Sequence, residues 1–509
     1  MQPGELRERI IDAIDIGELP GAESLCLALA AVDTGGEADY LLAVVRLQQG
    51  RLDESLALFA VAAAAQPGRA DIAFNHGNAL RRAGRLPSAT AEWARASALD
   101  PTHVDARFNL AKATVESGDA ASGAEHYRAV CRLRPEHADA LFNLGNLLYR
   151  QREYEAAAAT FAELLRHHQG LATGWVNYGM ALRALGMDGD AETFYRMALT
   201  LDPGCATAHW NLAVLLLAHG RWREGLLEFE WRLNLPEAPK PKWTLPRWLP
   251  NGASGGRVVV WNDQGRGDAI QFLRYARDLA ELGIHVIAYV QDDLQSLAAS
   301  VPGVAEAVGF SQPLPAVGAE LPLLSLPLAL GLDEPGDWTG AYVGTTDGPA
   351  SPPSGRIRVG VAWRGNPGHA NDANRSMQLA EIAKLFAIEQ IEWVSVQVGA
   401  GAEELGRVAG TERVRDLSPE LGDFSDTAAF IRGLDLVISV DTAVAHLAGA
   451  LEVPVWVLLP AVGTDWRWGL SGETTPWYPS MRLFRQTVPG QWDSVVETVK
   501  ATLESVLPD

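Results

Sequence analysis

Cysteine is scarce in this chain. Cys26, Cys131 and Cys205 stand far apart among 509 residues, and their spacing fits neither a disulfide framework nor a paired metal-ligand motif. A reducing compartment is expected. Positive charge is scarce too. The formal net charge is −21, which argues against nonspecific binding to nucleic acid or to an anionic membrane. Lysine occurs only at Lys112, Lys240, Lys242, Lys384 and Lys500, so any phosphate contact must fall mainly to arginine and backbone N–H groups. No apolar run reaches the roughly 18 residues of a membrane span, and the opening MQPGELRERI has no apolar signal core. A soluble, cytoplasmic protein is expected. The second half holds no H-E-x-x-H, Cys/His cluster or Asp-x-Asp signature, so no metal is expected.

What the chain has in abundance is repetition. Pro67, Pro101, Pro135 and Pro203 are spaced by 34, 34 and 68 residues, with Gln169 in the gap. Gly50, Gly84, Gly118, Gly186 and Gly220 keep the same period, with Arg152 in their gap. Small and aromatic residues alternate at fixed phases, as in Ala89 and Trp93, Ala157 and Phe161, Ala191 and Tyr195. This is the tetratricopeptide pattern, a helical hairpin that buries its apolar face only by stacking on its neighbours. Six repeats begin near residues 36, 70, 104, 138, 172 and 206, after a degenerate cap at 1–35. Asn75, Asn109, Asn143, Asn177 and Asn211 form a further column on the first helix of each repeat. An amide both donates and accepts, so the column can hold an extended peptide backbone or tie neighbouring repeats together.

Beyond residue 235 the pattern changes. Residues 236–256 are rich in Pro, Gly and Trp and read as an ordered connector, with Trp243, Leu245, Trp248 and Leu249 available to dock. Arg257–Trp261 and His285–Val290 read as buried strands around a helix-like stretch from Ala269 to Leu282. After the linker at 344–356, Ile357–Trp363, Trp393–Val398, Leu436–Val440 and Val453–Leu459 read as further strands. Gln491–Leu507 reads as a terminal helix. The expected fold class is multidomain: an all-α tetratricopeptide superhelix, then two Rossmann-like α/β halves at 257–343 and 357–490, with the terminal helix at 491–509.

Between Leu436 and Pro460 a strand runs into Asp441-Thr442, then a small-residue helix, then another strand. A helix N-terminus at a strand's carboxyl end attracts phosphate. Thr442 and His446 are four residues apart and share one helix face. Earlier, Gly265-Arg266-Gly267-Asp268 follows the first strand. It lacks the third glycine of a dinucleotide fingerprint, since Ile270 stands there, and an NAD oxidoreductase is disfavoured.

Two segments carry a resemblance. SxDTxxxHLAxALxxPVWxLLP (439–460) resembles the donor-site signature of bacterial heptosyltransferase-like glycosyltransferases with the GT-B fold. GxGDxxQFxRY (265–275) resembles their first loop. The continuation DWRWGL…TPWYPSMRLFRQ (465–486) is similar to members fused to tetratricopeptide repeats. The resemblance implies a nucleotide-sugar held by Arg375, Asp441, Thr442, Ala443 and His446; Arg364, Asn366 and Gln397, at the carboxyl ends of two expected strands, join them as candidates, Gln397 through its amide toward the nucleotide base. It implies Asp268 as the base for the acceptor hydroxyl, with Gln271 and Arg274 lining the cleft on the acceptor side. Repeats joined to such a domain also resemble the protein O-GlcNAc transferases. Their asparagine ladder makes Asn75, Asn109, Asn143, Asn177 and Asn211 candidates for binding a protein acceptor. The implied activity is inverting, metal-independent transfer to a protein hydroxyl, with the nucleotide-sugar as co-substrate and no other cofactor. Two alternatives stand beside it: an enzyme acting on a glycolipid or lipopolysaccharide core, and a scaffold whose transferase domain is inactive.

Overall fold

The computed structural model describes residues 2–250, 256–336, 340–345, 356–369 and 371–507. The chain divides into two compact units, Met1–Pro203 and Gly204–Asp509. Most of the linker expected at 344–356, and residues 251–255 of the connector, lie outside the described residues.

The first unit is a stack of helical hairpins. The repeats begin with helices Glu37–Gln48, Ala70–Arg82, Val104–Glu116, Ala138–Arg150 and Ala172–Ala184. Pro3–Asp15 and Leu19–Ala30 form the hairpin before them. Packing explains the small-residue column. A Cβ on Gly77 would lie 2.7 Å from Trp93, one on Gly145 2.5 Å from Phe161, and one on Gly179 2.7 Å from Tyr195. The aromatic ring of each second helix therefore sits directly against the backbone of the first. The other glycine column ends each first helix in the left-handed region, with φ of 76° at Gly50, 71° at Gly84 and 95° at Gly118. Arg152 takes that conformation at φ 64°, where a side chain costs about 1–2 kcal/mol. The stacked helices on either side hold it there.

The second unit opens with a further hairpin, Ala206–Ala218 and Trp222–Phe229. The sequence period counts it as the sixth repeat, yet its apolar face belongs to the α/β core: Ala213, Leu217, Leu226 and Phe229 join the cluster that holds Trp466 and Trp477. Trp222 meets Trp466 and Trp477 edge-on, at 5.6 and 5.5 Å between ring centres.

Two parallel sheets follow. The first comprises β1 (Arg257–Trp261), β2 (His285–Val290), β3 (Val304–Gly309) and β4 (Ala319–Pro322), in the order β3-β2-β1-β4. The second comprises β5 (Ile357–Ala362), β6 (Ile391–Ser395), β7 (Arg415–Asp416), β8 (Leu436–Val440), β9 (Val455–Leu459) and β10 (Met481–Arg485), in the order β10-β9-β8-β5-β6-β7. Strands β8 and β9 are almost wholly buried, as parallel strands covered on both faces must be. β3, β4, β7 and β10 are short or mixed in polarity, and the sequence pattern does not reveal them.

The connector docks as expected at Trp248, whose side chain is buried and whose backbone N–H donates to the Glu320 carbonyl at 2.8 Å. Trp243 packs on Tyr289, but Leu249 is exposed. The stretch expected as one helix from Ala269 is broken into Arg266–Phe272, a 3-10 turn at Leu273–Tyr275, and Ala276–Glu281. The terminal helix spans Asp493–Val506. Val495, Val496, Val499 and Leu503 pack with Ile382, Leu385 and Phe386 in the core of the second sheet.

Candidate active site

The carboxyl ends of β1, β5 and β8 open on one cleft of about 700 Å³, within the range of small-molecule sites. Two helix N-termini meet there. One begins at Arg266, after β1; the other begins at Ala443, after β8. They approach closely, because a Cβ on Gly267 would fall 2.6 Å from the His446 ring and 3.5 Å from the Ala443 Cα. Only glycine fits at position 267.

On the first wall, Asp268 uses both carboxylate oxygens. Oδ2 accepts the Gly265 N–H at 2.8 Å, and Oδ1 accepts from the Arg467 guanidinium. Burial nevertheless holds this carboxyl above its usual range, against the pull of Arg467. Arg467 is itself buried. Its Nη1 donates to both oxygens of Asp465 at 2.9 and 2.8 Å, and its guanidinium lies over the Trp466 and Phe272 rings. The motif Asp465-Trp466-Arg467-Trp468 is thus divided by face. Trp466 packs on Phe229, Arg467 bridges two carboxylates, and Trp468 stacks on His446 at 5.2 Å. Sequence reasoning noted this motif without assigning Arg467 a partner; an arginine between two aromatics was its only signal.

On the second wall, Thr442 caps the helix by backbone geometry alone. Its side chain makes no bond to the first turn, and its hydroxyl lies 3.0 Å from Ser439 Oγ. Asp441 faces Asp465, and burial together with that neighbour pushes its carboxyl up to about 7, while Arg375 pulls the other way. Arg375 Nη1 donates to the Asp441 carbonyl at 3.1 Å. Its guanidinium lies against Gly365, where a Cβ would fall 2.7 Å from Nη2. His446 is buried, and burial and then Arg467 hold its pKa well below the usual histidine value. It is neutral at physiological pH.

The structure brings Arg364, Asn366, Arg375, Gln397, Asp441, Thr442, Ala443 and His446 to this cleft together with Asp268. Several are already engaged. Arg364 pairs with Glu404 at 2.6 Å, and Asn366 Oδ1 accepts the Gly368 N–H. Gln397 lies two residues beyond β6, not at its end. Its Oε1 accepts the Trp363 and Arg364 N–H groups, and its Nε2 donates to the carbonyls of Arg364, Val398 and Ala400. The amide shapes two loops and has no free edge for a nucleotide base. Gln271 and Arg274, expected along the cleft, are fully buried behind it. Arg274 is enclosed by Tyr342, Trp477 and Tyr478. His369 and Asn371, from the loop after β5, and Asp423 and Thr427, from the start of the helix Phe424–Ile431, also line the cleft.

The asparagine column behaves differently from a free ladder. Asn75 donates to Tyr40 Oη at 2.9 Å, Asn109 to Asn78 at 3.1 Å, and Asn177 to Asn146 at 2.7 Å. Asn143 bonds to Tyr127. Each of these reaches the preceding repeat. Asn211 instead donates to the Thr207 carbonyl of its own helix.

Among the described residues, no helix is long and apolar enough to cross a membrane. Comparison with known proteins agrees with both parts of the chain. The tetratricopeptide repeat model matches residues 8–70, 74–138, 110–172 and 142–204. The model "Glycosyltransferase family 9 (heptosyltransferase)" matches residues 381–461, the segment that carries Asp441, Thr442 and His446. A curated relative, Protein FlbA of Caulobacter vibrioides, is 25% identical over 348 residues, 57% of this chain and 54% of that protein. The match thus spans about half the length of the relative. Solved structures with some similarity include the tetratricopeptide protein YrrB (20% identity, 35% of this chain, 91% of that chain, TM-score 0.32). Another is the C-terminal part of a repeat-containing protein from Cytophaga hutchinsonii (16% identity, 46% and 96%, TM-score 0.40). The chain is therefore tetratricopeptide repeats followed by an α/β region, and the family 9 match supports glycosyltransferase activity.

Proposed function

We propose that the protein transfers a sugar from a nucleotide-sugar to an acceptor hydroxyl, with inversion and without a metal. The observation that carries the proposal is the facing pair of walls. The family 9 segment presents a helix N-terminus and neutral His446, Arg375 reaches the same wall from just before that segment, and a desolvated carboxylate, Asp268, stands opposite. In this reading Asp268 takes the hydroxyl proton as the acceptor oxygen bonds to the anomeric carbon. The bond from that carbon to the diphosphate breaks, and the leaving oxygen's charge falls on the first-turn N–H groups, Arg375 and His446. Arg467 keeps Asp465 as its partner when Asp268 gains the proton. The acceptor we propose is a protein brought by the repeats, since stacked hairpins of this kind commonly offer extended binding surfaces.

Calorimetry with a panel of nucleoside diphosphates, together with donor hydrolysis in which water replaces the acceptor, tests the reading. Asp268→Asn keeps the shape and removes the proton acceptor. Turnover should fall by roughly 10²–10⁴-fold with donor affinity nearly intact. Donor binding without turnover in the wild-type chain points to the inactive scaffold. Activity on a glycan acceptor that survives removal of residues 1–203 points to a glycolipid substrate. Turnover unchanged by a chelator is expected.

A further inference from the structure

Behind the cleft, three buried side chains that the transfer chemistry does not use form a continuous hydrogen-bonded path to His446. Arg274 Nη2 donates to Tyr342 Oη at 3.1 Å. Tyr342 Oη donates to the Ile270 carbonyl at 3.1 Å and lies 3.3 Å from Tyr478 Oη. Tyr478 Oη lies 3.2 Å from His446 Nδ1. The Arg274 guanidinium is fixed by the Gln271 and Trp477 carbonyls at 2.9 and 2.8 Å, and it covers the Tyr478 ring at 4.6 Å.

Resting on the phosphate-binding reading of this cleft, we propose that Tyr478 is a positioning residue. It donates its proton to His446 Nδ1 and so fixes the neutral tautomer whose proton sits on Nε2, the edge that offers a hydrogen bond to a ligand phosphate.

The proton count supports this direction. Arginine only donates. Tyr342 receives from Arg274 and gives its single proton to a carbonyl, which can only accept. The Tyr478 proton then has two takers, Tyr342 Oη and His446 Nδ1. A cation against the Tyr478 ring favours the arrangement that turns the hydroxyl proton away from it, toward the imidazole. The ring edge bearing Nε2 and Cδ2 faces Gly267 at the start of the opposite helix, since a Cβ there would lie 2.6 Å from Cδ2 and 3.3 Å from Nε2. His446 and Gly267 both line the cleft. Trp468 stacked on the ring restricts rotation. Burial and the cations Arg467, Arg274 and Arg375 keep the ring from taking a second proton. The neutral histidine is thereby a donor toward the cleft, where an unprotonated Nε2 would repel an anion.

The full chain labelled with ¹⁵N-histidine tests the assignment without ligand. His446 is identified as the signal lost in His446→Gln. The expected spectrum shows an unprotonated Nδ1 and a protonated Nε2, unchanged between pH 6 and 8. Tyr478→Phe should produce a mixture of tautomers and weaken binding of inorganic pyrophosphate about threefold to tenfold, the worth of about one hydrogen bond. Tyr342→Phe removes the competing acceptor and should leave the tautomer as in wild type, which keeps the test alive if Tyr478→Phe does not fold. A proton on Nδ1 in the wild-type chain, or a tautomer indifferent to Tyr478→Phe, overturns the proposal. The expected tautomer in a chain that binds no pyrophosphate would instead overturn the phosphate reading of the cleft.

Discussion

On the phosphate-binding reading of the cleft, Asp441 sits where a carboxylate and an incoming anion would compete for the same helix N-terminus. Burial and then Asp465 raise its carboxyl to about 7, against Arg375 and Arg467. An unfolded aspartate titrates near 4, so between those values the folded chain holds a proton that the unfolded chain has lost. The stability from that proton is fully present below about pH 4 and gone once the pH has risen through 7. A bound phosphate repels the carboxylate and favours the protonated form, so binding must take up a proton near neutrality. Pyrophosphate affinity should fall as pH rises from 6 to 8, and Asp441→Asn should flatten the profile; calorimetry in two buffers of different ionisation enthalpy measures both. At this scale the sequence was partly legible. The spacing of Thr442 and His446 gave one helix face, and the cleft holds both together with Asp441 at the turn before it. Spacing does not report saturation, however. Gln397 reaches the cleft with every amide group engaged. Arg274, two turns into a stretch read as one helix, lies behind the wall because a 3-10 turn re-aims it.

At the scale of elements, the last hairpin changes allegiance. Its period is that of the repeats, but its apolar residues are committed to the α/β core and to Trp466, directly behind Arg467. Just past it, Arg232 and Asp263 form a pair whose side chains are fully buried, at 2.7 Å, with Arg232 also donating to Ser325. Breaking one side of such a pair leaves an uncompensated charge and costs about 3–5 kcal/mol. A chain beginning at Gly204 should therefore fold cooperatively, whereas one beginning at residue 236 leaves Asp263 unpaired and Trp466 uncovered. The second fragment should melt early or aggregate, and Arg232→Ala in the full chain should lose about 3–5 kcal/mol in denaturant unfolding. Equal melting of the two fragments would refute this account. The period could not show the change, because the residues that stack one repeat on another are also those that dock a hairpin on a sheet. The repeat starts themselves were legible to within a residue, since a small residue recurs at a fixed phase and, as glycine at Gly77, Gly145 and Gly179, sits directly against an aromatic ring.

For the whole molecule, the proposed transfer leaves a choice between a protein and a glycan acceptor, and the asparagine column bears on it. A peptide ladder requires amides free to grip a backbone. Here Asn75, Asn109 and Asn177 each donate to the preceding repeat, and Asn143 bonds to Tyr127 of the preceding hairpin. In a stack whose stability is the sum of repeats and nearest-neighbour interfaces, such bonds hold the interfaces. At about 0.5–1.5 kcal/mol each, replacing Asn109, Asn143 and Asn177 together with Ala should cost a few kcal/mol of repeat stability. The loss should appear as an earlier, broader melting transition, while donor hydrolysis stays normal because the cleft is built from residues beyond 204. Thermal melting and acceptor modification measured on one preparation separate the possibilities. A triple mutant that melts as wild type but modifies a protein acceptor 10²-fold more slowly, by about three lost hydrogen bonds, would restore the ladder as a peptide-binding device. One that melts early yet modifies its protein acceptor normally below the transition would place the acceptor contacts elsewhere on the repeats. Early melting with activity on a glycan alone would leave the repeats as a docking platform and make the glycolipid the substrate.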